Sequence, residues 1–201
     1  MDPCFHPLQR NIEDWHFWYQ VRREILDALL KELRLPPQAR LLDIGCGTGG
    51  SSLVLSKHGQ AVGLDASLRS FQLSPERPYT HRVVSSAEQL PFADASFDAV
   101  AALDVLEHLD HDQQAAAEIR RILKPGGKVV ILPLYMHTHY CAFSTPEYFG
   151  KGHSDPVAIE YACLDWEGIP SARYYDESAL KKRVLDEIDQ LGMRYQLLAL
   201  R

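Results

Sequence analysis

The chain has few cysteines, no long apolar run and no excess of basic residues, and each of these absences excludes a class of protein. Its 4 cysteines occur singly among 201 residues, so neither a disulfide framework nor a zinc ribbon is indicated. No apolar segment approaches the roughly 18 residues of a membrane span. The first residues lack the basic start and apolar core of a secretory signal. We therefore expect a cytoplasmic protein in a reducing compartment.

Acidic residues outnumber basic ones, with 27 Asp and Glu against 21 Lys and Arg. The resulting formal net charge of −6 argues against a protein whose main task is to bind nucleic acid. A hydrophobic content of 46% is ordinary for a soluble protein, and 201 residues suffice for one well-buried α/β domain. We predict a single domain over residues 1–201, with no nucleic-acid partner and no membrane span.

Strand and helix patterns alternate along the first two thirds of the chain. Short apolar runs predict five strands, at residues 40–44, 61–65, 81–84, 97–103 and 128–134. Helical patterns lie between them and also over residues 13–34, where Pro36 ends the pattern. The alternation predicts a Rossmann-like, doubly wound α/β fold, a mostly parallel sheet with helices on both faces. A ligand should then bind at the carboxyl ends of the strands, beside the first one.

The first predicted strand runs into a glycine-rich loop, LLDIGCGTGG, at residues 41–50. Gly45, Gly47 and Gly50 match the dinucleotide pattern G-x-G-x-x-G, which is typical of NAD-dependent oxidoreductases. Gly45, Gly47 and Gly49 match a second pattern, D-x-G-x-G-x-G. In either case the glycines let the backbone approach a ligand closely, just before a helix begins.

Two carboxylates accompany the loop. Asp43 lies two residues before the first glycine, where it would repel a pyrophosphate but attract an ammonium group. It therefore favours S-adenosylmethionine (SAM), whose amino-acid end carries such a group. Asp65, at the end of the second strand, does not discriminate, because a carboxylate there suits the ribose diol of either cofactor.

Two downstream segments decide between the cofactors. They read SSAEQLPFADASFDAVAALDVLEHLD at residues 85–110 and EIRRILKPGGKVVIL at residues 118–132. Together with the glycine loop they resemble the class I SAM-dependent methyltransferases, most of all the ubiquinone-pathway and glycan-cluster enzymes. The resemblance implies a SAM-binding core over residues 38–132. HFWYQVRREIL, within an N-terminal capping helix at residues 1–37, resembles the helix that can close over the cofactor in glycan-cluster relatives.

The resemblance also implies roles for individual residues. The glycines would face the methionine moiety, Asp65 the ribose, residues 86–88 the adenine, and residues 103–104 the sulfonium. Many relatives have Asp where this chain has Ser86, so the resemblance implies a weaker or water-mediated contact with the adenine here. The predicted cofactor-binding residues are Asp43, Gly45, Gly47, Gly49, Asp65, Ala66, Ser86, Ala87, Glu88, Leu103 and Asp104.

Catalytic residues are harder to predict, because a general base is needed only when the acceptor must lose a proton. The candidates are His108, just past the fourth strand, and His137 and Tyr140 in MHTHYC. His137, His139 and Cys141 alternate along the chain as metal ligands on an extended segment could. No carboxylate cluster accompanies them, so we predict no metal.

The last third of the chain shows weaker patterns. Residues 133–175 are rich in aromatic side chains without clear periodicity, which predicts a lid or insertion. A terminal helix and a sixth strand are predicted over residues 176–201. Full members of this fold add a seventh strand, which we expect to be absent here. An unpaired sheet edge invites pairing with another chain, so we expect a homodimer.

The predicted function is transfer of a methyl group from SAM to a small-molecule or glycan-precursor acceptor, at oxygen. Two alternatives stay open. One is a SAM-binding module that transfers no methyl group, and the other is an NAD-dependent oxidoreductase.

Overall fold

The structure is a computed structural model that describes residues 5–132, 141–143 and 172–174. The chain divides into two units. The first comprises Met1–Leu103 and Arg121–Leu132, and the second comprises Asp104–Arg120 and Pro133–Arg201. The predicted terminal helix, sixth strand and missing seventh strand lie outside the described residues, as does nearly all of the predicted lid. The single-domain assignment stays a prediction.

A five-stranded parallel sheet forms the first unit, in the order β3-β2-β1-β4-β5. The strands are β1 (Ala39–Ile44), β2 (Gly59–Asp65), β3 (His81–Val84), β4 (Phe97–Leu103) and β5 (Leu123–Leu132). In the register, Leu41 of β1 lies between Ala61 of β2 and Ala99 of β4. β2 and β3 thus follow on one side of β1, and β4 and β5 follow on the other side, as the alternating pattern predicted. The predicted α/β fold is confirmed.

Five of the six residues of β1 are buried, and four of them are apolar, as a strand with both faces covered requires. The helices of this unit are α1 (Phe5–Ile12), α2 (Phe17–Glu32), α3 (Ser52–His58) and α4 (Leu68–Gln72). Leu26 and Leu30 of α2 pack with Leu55 of α3 against Leu41 of β1. Ile44 points to the opposite face and is 1% exposed. The sheet therefore holds the end of β1 rigidly.

The N-terminal segment differs from the prediction of one continuous helix over residues 13–34. Two helices form instead, and the chain turns between them at residues 13–16. Glu13 is completely buried at this turn, whereas Trp15, an apolar residue within the predicted helix, is 64% exposed. The turn exists because the Glu13 carboxylate has partners elsewhere in the fold, described below. Local periodicity carries no information about such partners.

The described part of the second unit is small. It contains a 3₁₀ turn (Leu106–His108) and most of α5 (Asp112–Ile122), whose last residues belong to the first unit. Two short strands, β6 (Cys141–Phe143) and β7 (Ala172–Tyr174), pair antiparallel. Among the described helices of both units, none has the length and apolar character that crossing a membrane requires.

Candidate functional site

The loop after β1 is a tight backbone turn at the carboxyl end of the sheet. Gly45, Gly47 and Gly49 have φ values of +64°, +53° and +83°, in the left-handed region that favours glycine. The Cys46 amide donates to the Leu64 carbonyl (3.1 Å), which ties the loop to the end of β2. Alternate glycines therefore allow the chain to reverse and enter α3.

The loop geometry distinguishes the two glycine patterns. The left-handed glycines are those of D-x-G-x-G-x-G, whereas Gly50, the third glycine of the dinucleotide pattern, is not among the described residues with positive φ. A Cβ on Gly50 would lie 2.8 Å from the Glu13 Oε2 atom, so this glycine accommodates the N-terminal segment and not a helix packed on a strand. The backbone conformation therefore favours the D-x-G-x-G-x-G pattern, which begins at Asp43, over the dinucleotide pattern.

Replacing Gly47 by alanine is expected to combine backbone strain with a steric clash. The new Cβ would lie 2.7 Å from the Gln9 Oε1 atom, whereas a Cβ on Gly126, which also has positive φ, would meet nothing within 4 Å. Strain alone should cost Gly126→Ala about 1–2 kcal/mol, and the clash should cost Gly47→Ala about 1 kcal/mol more. Urea unfolding of both variants measures the difference. Equal losses would contradict the expected clash and show that the Gln9 amide moves aside without cost.

Asp65 holds the glycine loop from the neighbouring strand. Its Oδ2 atom accepts the Gly47 amide (2.8 Å) and its Oδ1 atom accepts the Ser67 amide (2.8 Å). The carboxylate is 7% exposed, and each oxygen has further acceptor capacity. Ala66, between the two anchored residues, is exposed. Asp65 thus anchors the loop in this structure, and its predicted contact with the ribose is compatible with that role.

Asp43 lies on the inner side of the loop, not at its surface. It is 1% exposed, and its Oδ2 atom accepts hydrogen bonds from the hydroxyls of Ser51 and Tyr79. Burial raises the pKa of the Asp43 carboxyl from 3.8 to about 6, although these two hydrogen bonds oppose the rise. Its predicted contact with the ammonium group of SAM stays a prediction.

The buried Asp43 carboxyl should make stability depend on pH. From about pH 4 to about pH 6 the unfolded chain has released this proton while the folded chain retains it. The Asp43 contribution to the free energy of unfolding therefore falls as pH rises through this window, by at most about 3 kcal/mol. Asp43→Asn removes this titration. The free energy of unfolding of the variant should therefore rise, relative to that of the wild type, by this amount across the same pH window. Urea unfolding at several pH values tests this, and a constant difference would refute it.

The N-terminal segment lies directly on the glycine loop. The Glu13 Oε2 atom accepts the Gly50 amide (3.1 Å), and its Oε1 atom pairs with the Arg77 guanidinium (2.6 Å). Arg77 also donates from Nε to the Thr48 carbonyl (3.3 Å). The side chain of Gln9, in α1, packs against Gly47. A buried charge pair therefore joins three parts of the chain at the loop.

Sequence reasoning missed the residues that cover the loop, namely Gln9, Glu13, Arg77 and Tyr79. Arg77 and Tyr79 lie in the segment between α4 and β3, which the sequence marks only as a proline-containing loop. Glu13 looks like an ordinary polar residue at the start of an amphipathic helix. A single sequence contains no signal for these contacts, because the partners are 36 to 64 residues apart along the chain.

The residues predicted for the adenine form a turn after β3. The Ser86 hydroxyl accepts the Glu88 amide (3.1 Å), and the Gln89 amide donates to the Ser86 carbonyl (3.2 Å). Ser86 is exposed and Ala87 is buried. The Ser85 amide donates to the Asp65 carbonyl (3.1 Å), so this turn lies beside the end of β2. The adenine contact stays a prediction.

The residues predicted to lie near the transferred methyl group are divided between the two units of the chain. Leu103 ends β4 and packs in the apolar core, while Asp104, the first residue of the second unit, has a φ of +54°. His108 is exposed in the 3₁₀ turn of the second unit. His137 and Tyr140 lie outside the described residues. Their catalytic roles stay predictions.

Comparison with known proteins shows which proteins this chain is similar to. Residues 42–131 match a family described as a methyltransferase domain. The chain is 34% identical over 151 residues to a demethylmenaquinone methyltransferase from Renibacterium salmoninarum, in an alignment covering 70% of this chain and 62% of that protein. It thus spans about three fifths of the length of that curated relative.

Two solved structures are similar in fold. The YcgJ protein of Bacillus subtilis aligns with a TM-score of 0.61 at 24% identity, over 85% of this chain and 68% of that one. A SAM-dependent methyltransferase from Thermotoga maritima aligns with a TM-score of 0.57 at 21% identity, over 95% of this chain and 82% of that one. At these identities the likeness concerns the fold alone.

Proposed function

We propose, because residues 42–131 match a methyltransferase domain family and their motifs resemble those of class I SAM-dependent methyltransferases, that this protein transfers the methyl group of SAM to a small-molecule acceptor. One observation carries the proposal. The three glycines of D-x-G-x-G-x-G are all left-handed, and Asp65 holds the loop at the Gly47 amide. Two buried oxygens beside this loop, Gln9 Oε1 and Thr48 Oγ1, have no hydrogen-bond partner among the described residues. Such atoms suit a polar ligand at the loop.

The chemistry requires little of the protein beyond binding and orientation. When bound, SAM supplies a methyl group that its sulfonium has already activated. The transfer would form a bond from the acceptor atom to the methyl carbon and would leave the electron pair of the carbon–sulfur bond on sulfur. The protein accelerates this displacement by alignment and exclusion of water. Asp65 and the glycine loop would orient the nucleoside and methionine parts, and the N-terminal helices would exclude water.

The acceptor is proposed from the names of relatives. The Renibacterium salmoninarum relative is named for demethylmenaquinone, which supports a hydroxylated aromatic ring as the first class of acceptor to test. Oxygen as the acceptor atom and a glycan precursor as the acceptor remain predictions from the sequence. The acceptor experiment therefore includes phenols and sugars beside hydroquinones.

Methyl transfer is tested with purified protein and SAM carrying an isotopically labelled methyl group. Acceptors are a water-soluble naphthohydroquinone, a phenol panel and a sugar panel, and the readout is S-adenosylhomocysteine formation. The chemical shift of the labelled carbon in the product distinguishes carbon from oxygen methylation. We expect turnover with a ring acceptor and none with Asp65→Ala.

A binding measurement separates the alternative functions. A ligand at 100 times its dissociation constant adds about 2.7 kcal/mol of stability, so thermal unfolding with SAM, S-adenosylhomocysteine and NAD is informative. Stabilisation by the adenosyl ligands without turnover on any acceptor would indicate a SAM-binding module. Stabilisation by NAD alone would refute the proposal.

A further inference from the structure

Gln9 is an unusual buried residue because its amide meets the glycine loop without completing its hydrogen bonds. The residue lies in α1 and is 8% exposed. Its Oε1 and Nε2 atoms lie 2.7 and 2.8 Å from the point where a Cβ of Gly47 would be. The missing side chain of Gly47 therefore leaves the space that the Gln9 amide enters.

The carbonyl oxygen of this amide lacks a donor. Within the described part of the chain, Gln9 Oε1 has no hydrogen-bond partner, and neither does Thr48 Oγ1, whose residue is completely buried. Buried amide and hydroxyl oxygens are rarely left this way in folded proteins. One of these atoms belongs to Thr48 of the loop, and the other lies against Gly47. Their position indicates that a donor from outside the described residues belongs there.

Three glycine amides of the loop already donate elsewhere. The Gly47 amide donates to Asp65, the Gly49 amide donates to the Cys46 carbonyl, and the Gly50 amide donates to Glu13. Asp43, which the sequence predicted as the acceptor for a cation, already accepts two hydroxyl donors on one oxygen and is 1% exposed. A cationic donor at this loop would therefore find an acceptor in the Gln9 carbonyl.

We propose that Gln9 is a cofactor-binding residue, whose side-chain carbonyl oxygen accepts a hydrogen bond from the ammonium group at the methionine end of SAM. This assignment rests on the proposed function. An ammonium group carries three N–H donors and no acceptor, which matches an unpaired carbonyl oxygen. Charge assistance makes such a bond stronger than one between neutral groups. Gln9 thereby couples the placement of α1 to the occupancy of the glycine loop.

Calorimetric titration with two ligands tests the assignment. The ligands are S-adenosylhomocysteine and its deaminated analogue, which keeps the carboxylate but lacks the ammonium group. Gln9→Met keeps the length of the side chain and removes the acceptor. The substitution should lower the affinity for S-adenosylhomocysteine about 10-fold or more. It should change the affinity for the deaminated analogue by less than about twofold. The matched control is Gln20→Met, at an exposed glutamine of α2, which should leave both affinities unchanged.

Each other outcome identifies a different failure. Equal weakening of both ligands would overturn the assignment and leave Gln9 a packing residue, and unchanged affinities would overturn it as well. A wild-type protein that binds neither ligand would refute the proposed function together with this inference. Thermal unfolding without ligand establishes that the variant folds. If Gln9→Met does not fold, Gln9→Asn, which shortens the amide, should show the same selective loss.

Discussion

Arg77→Met is expected to lower the free energy of unfolding by about 3–5 kcal/mol, the largest effect of any single substitution considered for this protein. The Arg77 side chain is 5% exposed and the Glu13 side chain is 0% exposed, and their ion pair is 2.6 Å long. Removing the guanidinium would leave the Glu13 carboxylate buried with only the Gly50 amide as a described partner. Burial opposes the charge on Arg77, but the hydrogen bonds that it donates to Asp14 and Glu13 raise its pKa above the usual value.

A second substitution separates the buried charge from the lost packing. Adding Glu13→Gln to Arg77→Met removes the carboxylate charge and keeps an acceptor for the Gly50 amide, so the double variant should regain at least half of the loss. The control is Arg10→Met, because Arg10 pairs with Asp14 and Glu76 at the surface and should cost about 1 kcal/mol or less. Urea unfolding at neutral pH measures all three. An Arg77→Met loss below about 1 kcal/mol would contradict the buried pair.

Asp65→Ala is expected to reduce the affinity for S-adenosylhomocysteine at least about 100-fold. The substitution removes the acceptor of two backbone amides, at Gly47 and Ser67, so the glycine loop loses its anchor to β2. Hydrogen bonds to a charged acceptor are worth about 1.5–3 kcal/mol each, and the proposed ribose contact would be lost as well. Calorimetric titration measures the affinity, and thermal unfolding measures the accompanying loss of stability.

Asp98→Ala is the matched control for this loss. Asp98 is also a partly buried strand carboxylate, which accepts the Arg40 amide (2.9 Å) and pairs with Lys124 (2.9 Å). It lies near the start of β4, at the end of the sheet opposite to the glycine loop. Its removal should cost stability and leave the affinity for S-adenosylhomocysteine within about twofold. Equal affinity losses in the two variants would contradict the anchoring role of Asp65.

The strands and the glycine loop could be predicted from the sequence because their signals are local. Apolar runs at 40–44 and 61–65 correspond to β1 and β2, which start one and two residues earlier, and the run at 97–103 coincides with β4. A buried parallel strand must be apolar on both faces, and this leaves a pattern in the sequence itself. Asp43 and Asp65 could be placed at the loop for the same reason, since Asp43 precedes the last residue of β1 and Asp65 ends β2.

The details of the N-terminal segment could not be predicted in this way. Helical periodicity extends through residues 13–16, but the structure has a turn there, so the capping helix assigned to residues 1–37 is divided into α1 and α2. The exposed Trp15 shows that the apolar pattern overestimated burial. Helix ends are decided here by side-chain partners, and Glu13 obtains its partners only once the sheet and loops have assembled.

The amino-acid sequence by itself determined the α/β sheet, the order of its motifs and the carboxylates that flank the glycine loop. Only the tertiary structure decided how that loop is covered, through Glu13 with Arg77, Tyr79 with Asp43, and Gln9 against Gly47. The physical reason is the range of the interactions. Strand and loop signals arise from neighbouring residues and repeat every few positions. Ion pairs and hydrogen bonds between residues 36 to 64 positions apart depend on the assembled fold and leave no periodic trace.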